Sequence, residues 1–358
     1  MPFRHLTSLY ETHVTHTPMI LAEEFSRAQT ARISDFSTSA NERGVFWMDP
    51  SVPSTSLLDL PEPIPTDPSP SLLSPLPPQQ SRYVPRKSNR LPAGQPGRDS
   101  RLVRGALVAQ LASPNGASLA DATELLSPYV DGVDLNCGCP QQWAFKEGIG
   151  CALLRKPELV ADMVRAVHGR MGWAFPISVK IRIDPELERT HTLVRNAIAA
   201  GASYVTIHGR TRHQASTEDV SLAGIRFAVE CARGEVPAVG NGDIWSLGDA
   251  HTMRAKTGVK GVMAARGLLA NPALFAGYER TPSHAVANFV NLATDYGLIY
   301  SLYHRHVAYM LEERFSKPEK VWFNSLGSTV QVVEYLQNRG LDFAQQREIN
   351  DAVMGYRL

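Results

Sequence analysis

The sequence predicts an α/β fold built on a parallel sheet and followed by an all-helical part. Short apolar runs rich in Val and Ile alternate with amphipathic helical patterns through the first three quarters of the chain. This alternation is typical of right-handed βαβ units, which build parallel sheets. After about residue 276 only helical periodicity continues. We therefore expect a sheet-containing domain at 1–275 and a helical domain at 276–358.

Seven apolar runs have the length and composition of strands. They lie at 14–21, 105–111, 131–137, 176–183, 203–209, 236–242 and 260–266. Helical patterns are found at the start, in PFRHLTSLYE, and between strands, at 157–171 and 190–201. A closed (β/α)8 barrel has eight strands. The residues alone therefore leave two architectures open, an open doubly wound sheet or a barrel without its first strand.

Two further regions have their own character. Residues 50–78 contain ten prolines, and the run from Arg82 to Arg104 carries seven Lys or Arg against one Asp. Such a composition buries little apolar surface, so we expect a disordered insertion at about 45–100. The helical domain is predicted to contain helices at 284–300, 302–315, 319–339 and 343–356.

Composition limits the function classes. The formal net charge is +1, which neither indicates nor excludes a nucleic acid partner. No apolar run is long enough to span a membrane, and the N-terminus has no apolar signal segment, so we expect a cytoplasmic or nuclear protein without a membrane partner. The four cysteines form no C-x-x-C pair, so no metal site is expected. A monomer is the expected state.

Polar residues gather where the predicted strands end. They are Gln110, Asn136, Lys180 with Arg182, His208 with Arg210, Asn241 with Asp243, and Arg266. In a barrel all these ends form one face, and the active site lies there. Six consecutive strands that end in this way indicate a functional site.

Glycines follow the last two strands, in VGNGDI and MAARGLLANP, each ahead of a helix. Glycine lets the backbone approach a ligand closely, and amides at the start of a helix bind phosphate. These segments predict a phosphorylated cofactor or substrate, whereas plain turns are the simpler alternative.

The segment DLNCGCPQQWAFKEGIGCALL, at 134–154, is the most specific part of the chain. It predicts a strand that ends at Asn136, a tight Cys-Gly-Cys-Pro turn and a glycine-rich loop. A thiol on such a loop can donate a proton. We assign this chemistry to Cys139, and we interpret Cys137, still in the strand, as a small buried hydrophobe.

These motifs resemble, in order, those of the tRNA-dihydrouridine synthase family. The motif at 134–154, PISVKIRI, YVTIHGRTR, VGNGDI and GVMAARGLLANP all match, together with TPMI and VAQLA. The segments MLEE and VWFNSLGST in the helical domain are similar to segments of the eukaryotic branch of the family, which acts on D-loop positions 20a and 20b. Members of the family have a strand ending in Ala-Pro-Met before the equivalent of MPFR, so we expect the barrel here to be without its first strand.

The resemblance implies a TIM (β/α)8 barrel that holds FMN, with NADPH or NADH as reductant and tRNA as substrate. It implies that the helical domain helps to bind tRNA. By motif position, Cys139 is the proton donor and Gln110, Lys180 and His208 contact the flavin. The family further implies flavin phosphate contacts by Asn241, Gly242, Asp243, Ala265 and Arg266, and flavin or uracil contacts by Asn136, Lys146 and Arg210.

The implied reaction is a hydride transfer from flavin N5 to uracil C6 and a proton transfer from Cys139 to C5. Three alternatives remain open at this point. One is another flavin-dependent barrel reductase of a small molecule, and another is a Schiff-base aldolase that uses Lys180. The third is a catalytically impaired RNA-binding relative. Bound flavin separates the first from the other two.

Overall fold

The computed structural model describes residues 1–48, 101–341 and 343. Its strands are β1 (Val14–His16), β2 (Ile20–Leu21), β3 (Val45–Met48), β4 (Arg101–Arg104), β5 (Ala106–Ala112), β6 (Gly132–Cys137), β7 (Ile177–Arg182), β8 (Val205–His208), β9 (Ala238–Asn241) and β10 (Gly261–Met263). Its first ten helices are α1 (Pro2–Ser8), α2 (Ala22–Arg27), α3 (Gln29–Asp35), α4 (Gly116–Leu126), α5 (Gln142–Lys146), α6 (Pro157–Met171), α7 (Leu187–Ala199), α8 (Leu222–Cys231), α9 (Leu247–Thr257) and α10 (Arg266–Ala270). Four more follow, α11 (Ser283–Asp295), α12 (Tyr300–Leu311), α13 (Lys317–Asn324) and α14 (Thr329–Asn338).

The strand order decides between the two predicted architectures. The parallel sheet runs β1, β5, β6, β7, β8, β9, β10, with β2 also paired to β5. A doubly wound sheet reverses its order at a switch point, whereas here β5 to β10 follow one another across the sheet in chain order. The sheet is therefore a curled barrel wall. The seven predicted strands are confirmed, with β1 and β2 as two pieces of the first run.

The two faces of the sheet differ in chemistry because successive side chains point to opposite sides. On one face Leu107, Leu135 and Val179 are fully buried and pack with the outer helices in one hydrophobic cluster. The other face carries the polar residues of the same strands, such as Asp134 and Lys180. Among the described residues β1 and β10 each pair with one neighbour in this sheet, so the wall is open between them.

A short hairpin overlaps the start of the insertion predicted at 45–100. Val45–Met48 and Arg101–Arg104 form the antiparallel ladder of β3 and β4, in which Met48 is paired with Arg101. Part of the stretch assigned to disorder at 45–100 is thus ordered strand. VFWM is an apolar run of only four residues, too short to outweigh the proline-rich composition that follows it. The rest of the predicted insertion lies outside the described residues.

A second hydrophobic cluster holds the helices after residue 280 together. Phe289, Tyr303, Phe323 and Tyr335 pack in it, and Leu6 and Tyr10 join them from α1 and the turn after it. Two predicted helices are shorter than expected. The pattern at 284–300 ends at Asp295, close to Gly297 with its φ of 62°, and the pattern at 319–339 is two helices. Ser328 breaks the latter because its side chain caps the start of α14. The helix predicted at 343–356 lies almost wholly outside the described residues.

In the described part of the chain, no helix is both long and apolar enough to cross a lipid bilayer.

Candidate active site

The strand ends meet at one face of the sheet. Backbone pairing sets Asn136 beside Lys180, and sets His208 between Arg182 and Asn241. The structure thus brings together most of the residues selected from the sequence. Lys146 is exposed at the end of α5.

Cys139 lies in a tight turn directly after β6. The Oδ1 atom of Asn136 accepts hydrogen bonds from the backbone nitrogens of Gly138 and Cys139, both at 2.9 Å. The carbonyl of Cys139 accepts a hydrogen bond from the backbone nitrogen of Cys151, also at 2.9 Å. The thiol is half-buried, while Cys137 is fully buried in the core. The turn therefore holds the backbone of Cys139 and leaves its side chain at the mouth.

Gly150 closes the space behind this turn. Its φ is 61°, and a Cβ atom there would lie 2.7 Å from the carbonyl oxygen of Cys139 and 2.8 Å from its Cβ. Only glycine combines that left-handed conformation with so close an approach. The glycine-rich loop thus serves to seat Cys139.

A chain of hydrogen bonds leads from this turn into the sheet. The Nδ2 of Asn136 donates to Oε1 of Gln110, and the Nε2 of Gln110 donates to Oδ2 of Asp134, both at 2.8 Å. Oδ1 of Asp134 accepts from the hydroxyl of Ser178 at 2.7 Å. Asp134 and Ser178 are fully buried. Gln110 and Asn136 are therefore oriented by groups beneath them.

Lys180, on β7, lies beside Asn136 in this site. Its ammonium makes no hydrogen bond or ion pair with any of the residues that the structure describes. Burial lowers its pKa, and the nearby carboxylate of Asp134 opposes that effect. Lys180 is half-buried, so its amino group, left without a partner among the described residues, suits a ligand with negative charge or carbonyl oxygens.

His208 is held neutral. Burial, and after it the positive charges of Lys180, Arg182 and Arg210, lower its pKa to about 3. At neutral pH the ring therefore carries no charge and presents one donor and one acceptor nitrogen.

A cleft of about 220 Å3 opens after β9 and β10, with Gly242, Ala265 and Arg266 in its wall. Asp243 binds two guanidinium groups here. Arg210 pairs with both of its oxygens, and Nη2 of Arg266 lies 2.7 Å from Oδ1. Two guanidinium groups and one carboxylate give these three side chains together a net positive charge. Arg210 is only 1% exposed and also donates to the carbonyl of Glu218, so it lies behind Asp243.

The glycines around the cleft are needed for packing within the protein. A Cβ at Gly267 would meet the carbonyl oxygen of Ile244 at 2.0 Å, and one at Gly242, whose φ is 126°, would meet Val220 at 2.8 Å. Asn241 donates from Nδ2 to the carbonyl of Met263 at 2.8 Å and so ties the ends of β9 and β10 together. These contacts shape the wall of the cleft.

Aromatic and basic side chains line the rim of the mouth. On α5, Trp143 is 47% exposed and Phe145 is 38% exposed. The guanidinium of Arg212 lies 3.4 Å from the centre of the Phe145 ring. Across the cleft, Arg266 lies 5.2 Å from the ring centre of Trp245, which is also 47% exposed. Neither tryptophan belongs to a hydrophobic cluster of the described residues.

Several of these residues were missed from the sequence. Asp134 and Ser178 lie inside apolar runs, and their only signal was a polar residue two positions before one already selected, on the same face of a strand. Gly150 belongs to the predicted glycine-rich loop, but its contact with Cys139 was not foreseen, and the Phe145–Arg212 pair gave no recognisable signal. Within the described ranges, no group of three or more His, Cys, Asp or Glu side chains could hold a metal ion.

Comparison with known proteins identifies the family. The sequence profile of Dihydrouridine synthase (Dus) matches residues 89–343. The tRNA-dihydrouridine(20a/20b) synthase (NAD(P)+)-like protein of Mus musculus is 37% identical over 340 residues, which cover 94% of this chain and 84% of that protein. The tRNA-dihydrouridine(20a/20b) synthase (NAD(P)+) of Schizosaccharomyces pombe is 35% identical over 321 residues, 90% of this chain and 78% of that protein. The like-named human protein is 44% identical over 234 residues, 64% of this chain and 72% of that protein.

A solved structure of DHODH from Eimeria tenella in complex with ferulenol superposes with a TM-score of 0.41 at 11% identity, over 54% of this chain and 59% of that one. That likeness is too low to show a common fold. The family profile and the relatives, by contrast, span most of the sequence and the whole site. The chain belongs to the dihydrouridine synthase family of NAD(P)H-dependent oxidoreductases, whose fold is the TIM barrel.

Proposed function

We propose that this chain reduces uridine to dihydrouridine in the D-loop of tRNA, at positions 20a and 20b, with FMN as cofactor and NADPH or NADH as reductant. The observation that carries the proposal is the way the structure holds Cys139. A half-buried thiol is held at the ends of the barrel strands, on the side where Lys180 has no partner among the described residues. Reduction of a carbon–carbon double bond needs such a proton donor opposite the hydride donor.

The residues fit a flavin mononucleotide. The unpaired Lys180 suits the carbonyl-rich edge of a flavin ring, and neutral His208 and the amide of Gln110 offer further hydrogen bonds. The cleft after β9 and β10 suits the phosphate, because Arg210 and Arg266 outnumber the one carboxylate of Asp243. We propose that Arg266, Ala265 and the backbone at Asn241–Asp243 hold that phosphate, with Arg210 fixing Asp243 from behind.

The residues of the protein then have separate roles in the reaction. FMN, when bound and reduced, supplies the hydride. Cys139 gives its thiol proton to C5 of the uracil, and Asn136 keeps the turn that carries it in place. Lys180, half-buried, balances negative charge on the cofactor, and partial burial strengthens that interaction.

We propose that tRNA reaches the site across the aromatic rim. A uridine must leave its stack to enter a barrel mouth, and unstacked neighbours bind aromatic rings and guanidinium planes. Trp143, Phe145 with Arg212, and Trp245 with Arg266 offer such surfaces. Lys146, exposed beside them, suits a phosphate of the same segment. The helical part after residue 276 is proposed to hold the body of the tRNA.

The experiment uses the purified chain, a tRNA transcript with uridines at 20a and 20b, and NADPH or NADH. We expect flavin absorbance in the protein, and a gain of two hydrogens at those uridines by mass spectrometry. Cys139→Ala should abolish this gain while flavin stays bound, and Cys137→Ala should cost only packing. Flavin-free protein after incubation with excess FMN would contradict the cofactor, and an active Cys139→Ala would contradict the proton donor.

A further inference from the structure

The buried carboxylate of Asp134 lies at the far end of the hydrogen-bond chain that begins at the catalytic turn. It is fully buried on β6, two residues before Asn136 on the same face of the strand. Its side-chain hydrogen bonds within the described residues go to Gln110 and Ser178, not to the turn that carries Cys139. The chain that joins them runs through two amide side chains, Gln110 and Asn136.

Every link in this chain has a fixed direction. The backbone nitrogens of Gly138 and Cys139 can only donate, so the oxygen of Asn136 must face them. The amino group of Asn136 must then face the oxygen of Gln110, and the amino group of Gln110 must face an acceptor. Asp134 is that acceptor, and its second oxygen accepts from Ser178.

We infer that Asp134 is a positioning residue that orients the proton donor Cys139 through Gln110 and Asn136. If its acceptor is lost, the amide of Gln110 is free to turn over and present its amino group to Asn136. Asn136 would then turn its own amino group toward the turn, where donor meets donor and both backbone hydrogen bonds are lost. The inference rests on the proposed function only for the role of Cys139. The orientation of the turn can be measured without turnover.

Two substitutions of Asp134 separate its hydrogen bonds from its charge. Asp134→Leu removes the acceptor. Asp134→Asn removes the charge but can still present its oxygen to Gln110, because its amino group can donate to Ser178, whose hydroxyl can turn to the carbonyl of Val133 at 3.5 Å. Thr206→Val is the matched control, since Thr206 is fully buried on β8 and its hydroxyl has no hydrogen-bond partner among the residues that the structure describes.

The first measurement is hydrogen exchange at the amides of Gly138 and Cys139, together with the rate at which iodoacetamide alkylates Cys139. We expect Asp134→Leu to speed exchange at these two amides and to change the alkylation rate. Asp134→Asn and Thr206→Val should stay near the wild type. Unchanged exchange in a folded Asp134→Leu protein would overturn the inference, and so would an Asp134→Asn protein as disturbed as Asp134→Leu.

The second measurement is turnover per bound flavin. We expect Asp134→Leu to lower kcat at least about tenfold, an effect that corresponds to a small displacement of the donor. If the wild type forms no dihydrouridine, the proposed function fails while the exchange test of Asp134 still stands.

If Asp134→Leu does not fold, two substitutions that keep the side-chain volumes nearly unchanged provide the same test. Gln110→Glu alone sets two carboxylates against each other and should disturb the turn. Adding Asp134→Asn restores one donor opposite one acceptor at each link and should return exchange at Gly138 and Cys139 toward the wild type. If exchange at these two amides is as fast in the double variant as in Gln110→Glu, the hydrogen-bond chain from Asp134 does not orient the turn.

Discussion

At the scale of single residues, the position of Cys139 depends on Gly150 as much as on its own turn. The backbone of Gly150 is left-handed, and the main chain and Cβ of Cys139 fill the space that a side chain would need. An added methyl group therefore meets backbone, which cannot move aside as the end of a flexible side chain could. The two residues fit together only as they are.

Gly150→Ala tests this fit. We expect the free energy of unfolding to fall by about 1–3 kcal/mol from strain and crowding, and dihydrouridine formation to fall much further, because the donor is displaced. Gly297→Ala is the matched control, since its φ of 62° is nearly the same but nothing lies within 4 Å of the added atom. Both variants are compared by denaturant unfolding and by turnover. Similar activity losses in the two would show that Cys139 does not depend on this contact.

At the scale of elements, the N-terminal helix α1 belongs by packing to the helical cluster at the other end of the chain. Leu6 is buried there, and the ring of Phe3 stacks on His306 of α12 at 4.7 Å. His5 bonds to the hydroxyl of Tyr296 at 3.0 Å. Helix α1 and the helices α11 and α12 thus stabilise one another, although the sequence pattern assigned them to different domains.

His306 makes this packing sensitive to acid. Burial lowers its pKa from 6.5 to about 4, helped by the N-terminal ammonium and Arg305. The unfolded chain then binds more protons than the native chain between these two values, so stability falls as the pH drops below 6.5. The loss should reach about 2 kcal/mol at pH 5 relative to pH 8.

His306→Phe keeps a ring on Phe3 and removes the titration. We expect the difference in free energy of unfolding between pH 8 and pH 5 to shrink by about that amount. Denaturant unfolding at both pH values measures it, with His251→Gln, at an exposed position on α9, as the control. An unchanged difference in His306→Phe would mean that other groups cause the acid sensitivity.

At the scale of the whole molecule, the hairpin of β3 and β4 is fixed to the barrel wall at its base. Asp131 accepts hydrogen bonds from Arg43, from Arg104 at 2.8 Å, and from the backbone nitrogen of Leu107 at 2.7 Å. Phe46 is buried and packs edge-on against His13. These contacts join the hairpin to the barrel wall.

We therefore expect residues 49–100 to be replaceable by Asn-Gly, the preferred two-residue hairpin turn. Met48 and Arg101 are paired across the ladder, so a tight turn can join them. The melting temperature should stay the same or rise, because loop closure costs grow with length. Asp131→Ala in the full chain is the contrasting variant and should lower it. A large fall after the replacement would show that the removed stretch packs on the protein, and a loss of tRNA affinity alone would assign it to RNA binding.

Much of this protein could be predicted from the sequence because the signals are local. Strand length, Val and Ile content and the alternation with helices gave seven strands in their places, and the motif around Cys139 gave the family. The predictions that failed, in the hairpin and in the helix at 319–339, are places where a short pattern competes with composition or with a single capping serine. The roles assigned to individual site residues stay predictions.

Only the tertiary structure showed the order of the strands in the sheet and the residues that support the active site. Sequential pairing from β1 to β10 distinguishes a barrel wall from a doubly wound sheet, and pairing depends on contacts between residues far apart in the chain. The same holds for Asp134, Arg210 and Gly150. Each acts through partners that the sequence does not place beside it, because hydrogen bonds and steric contacts depend on distance in space.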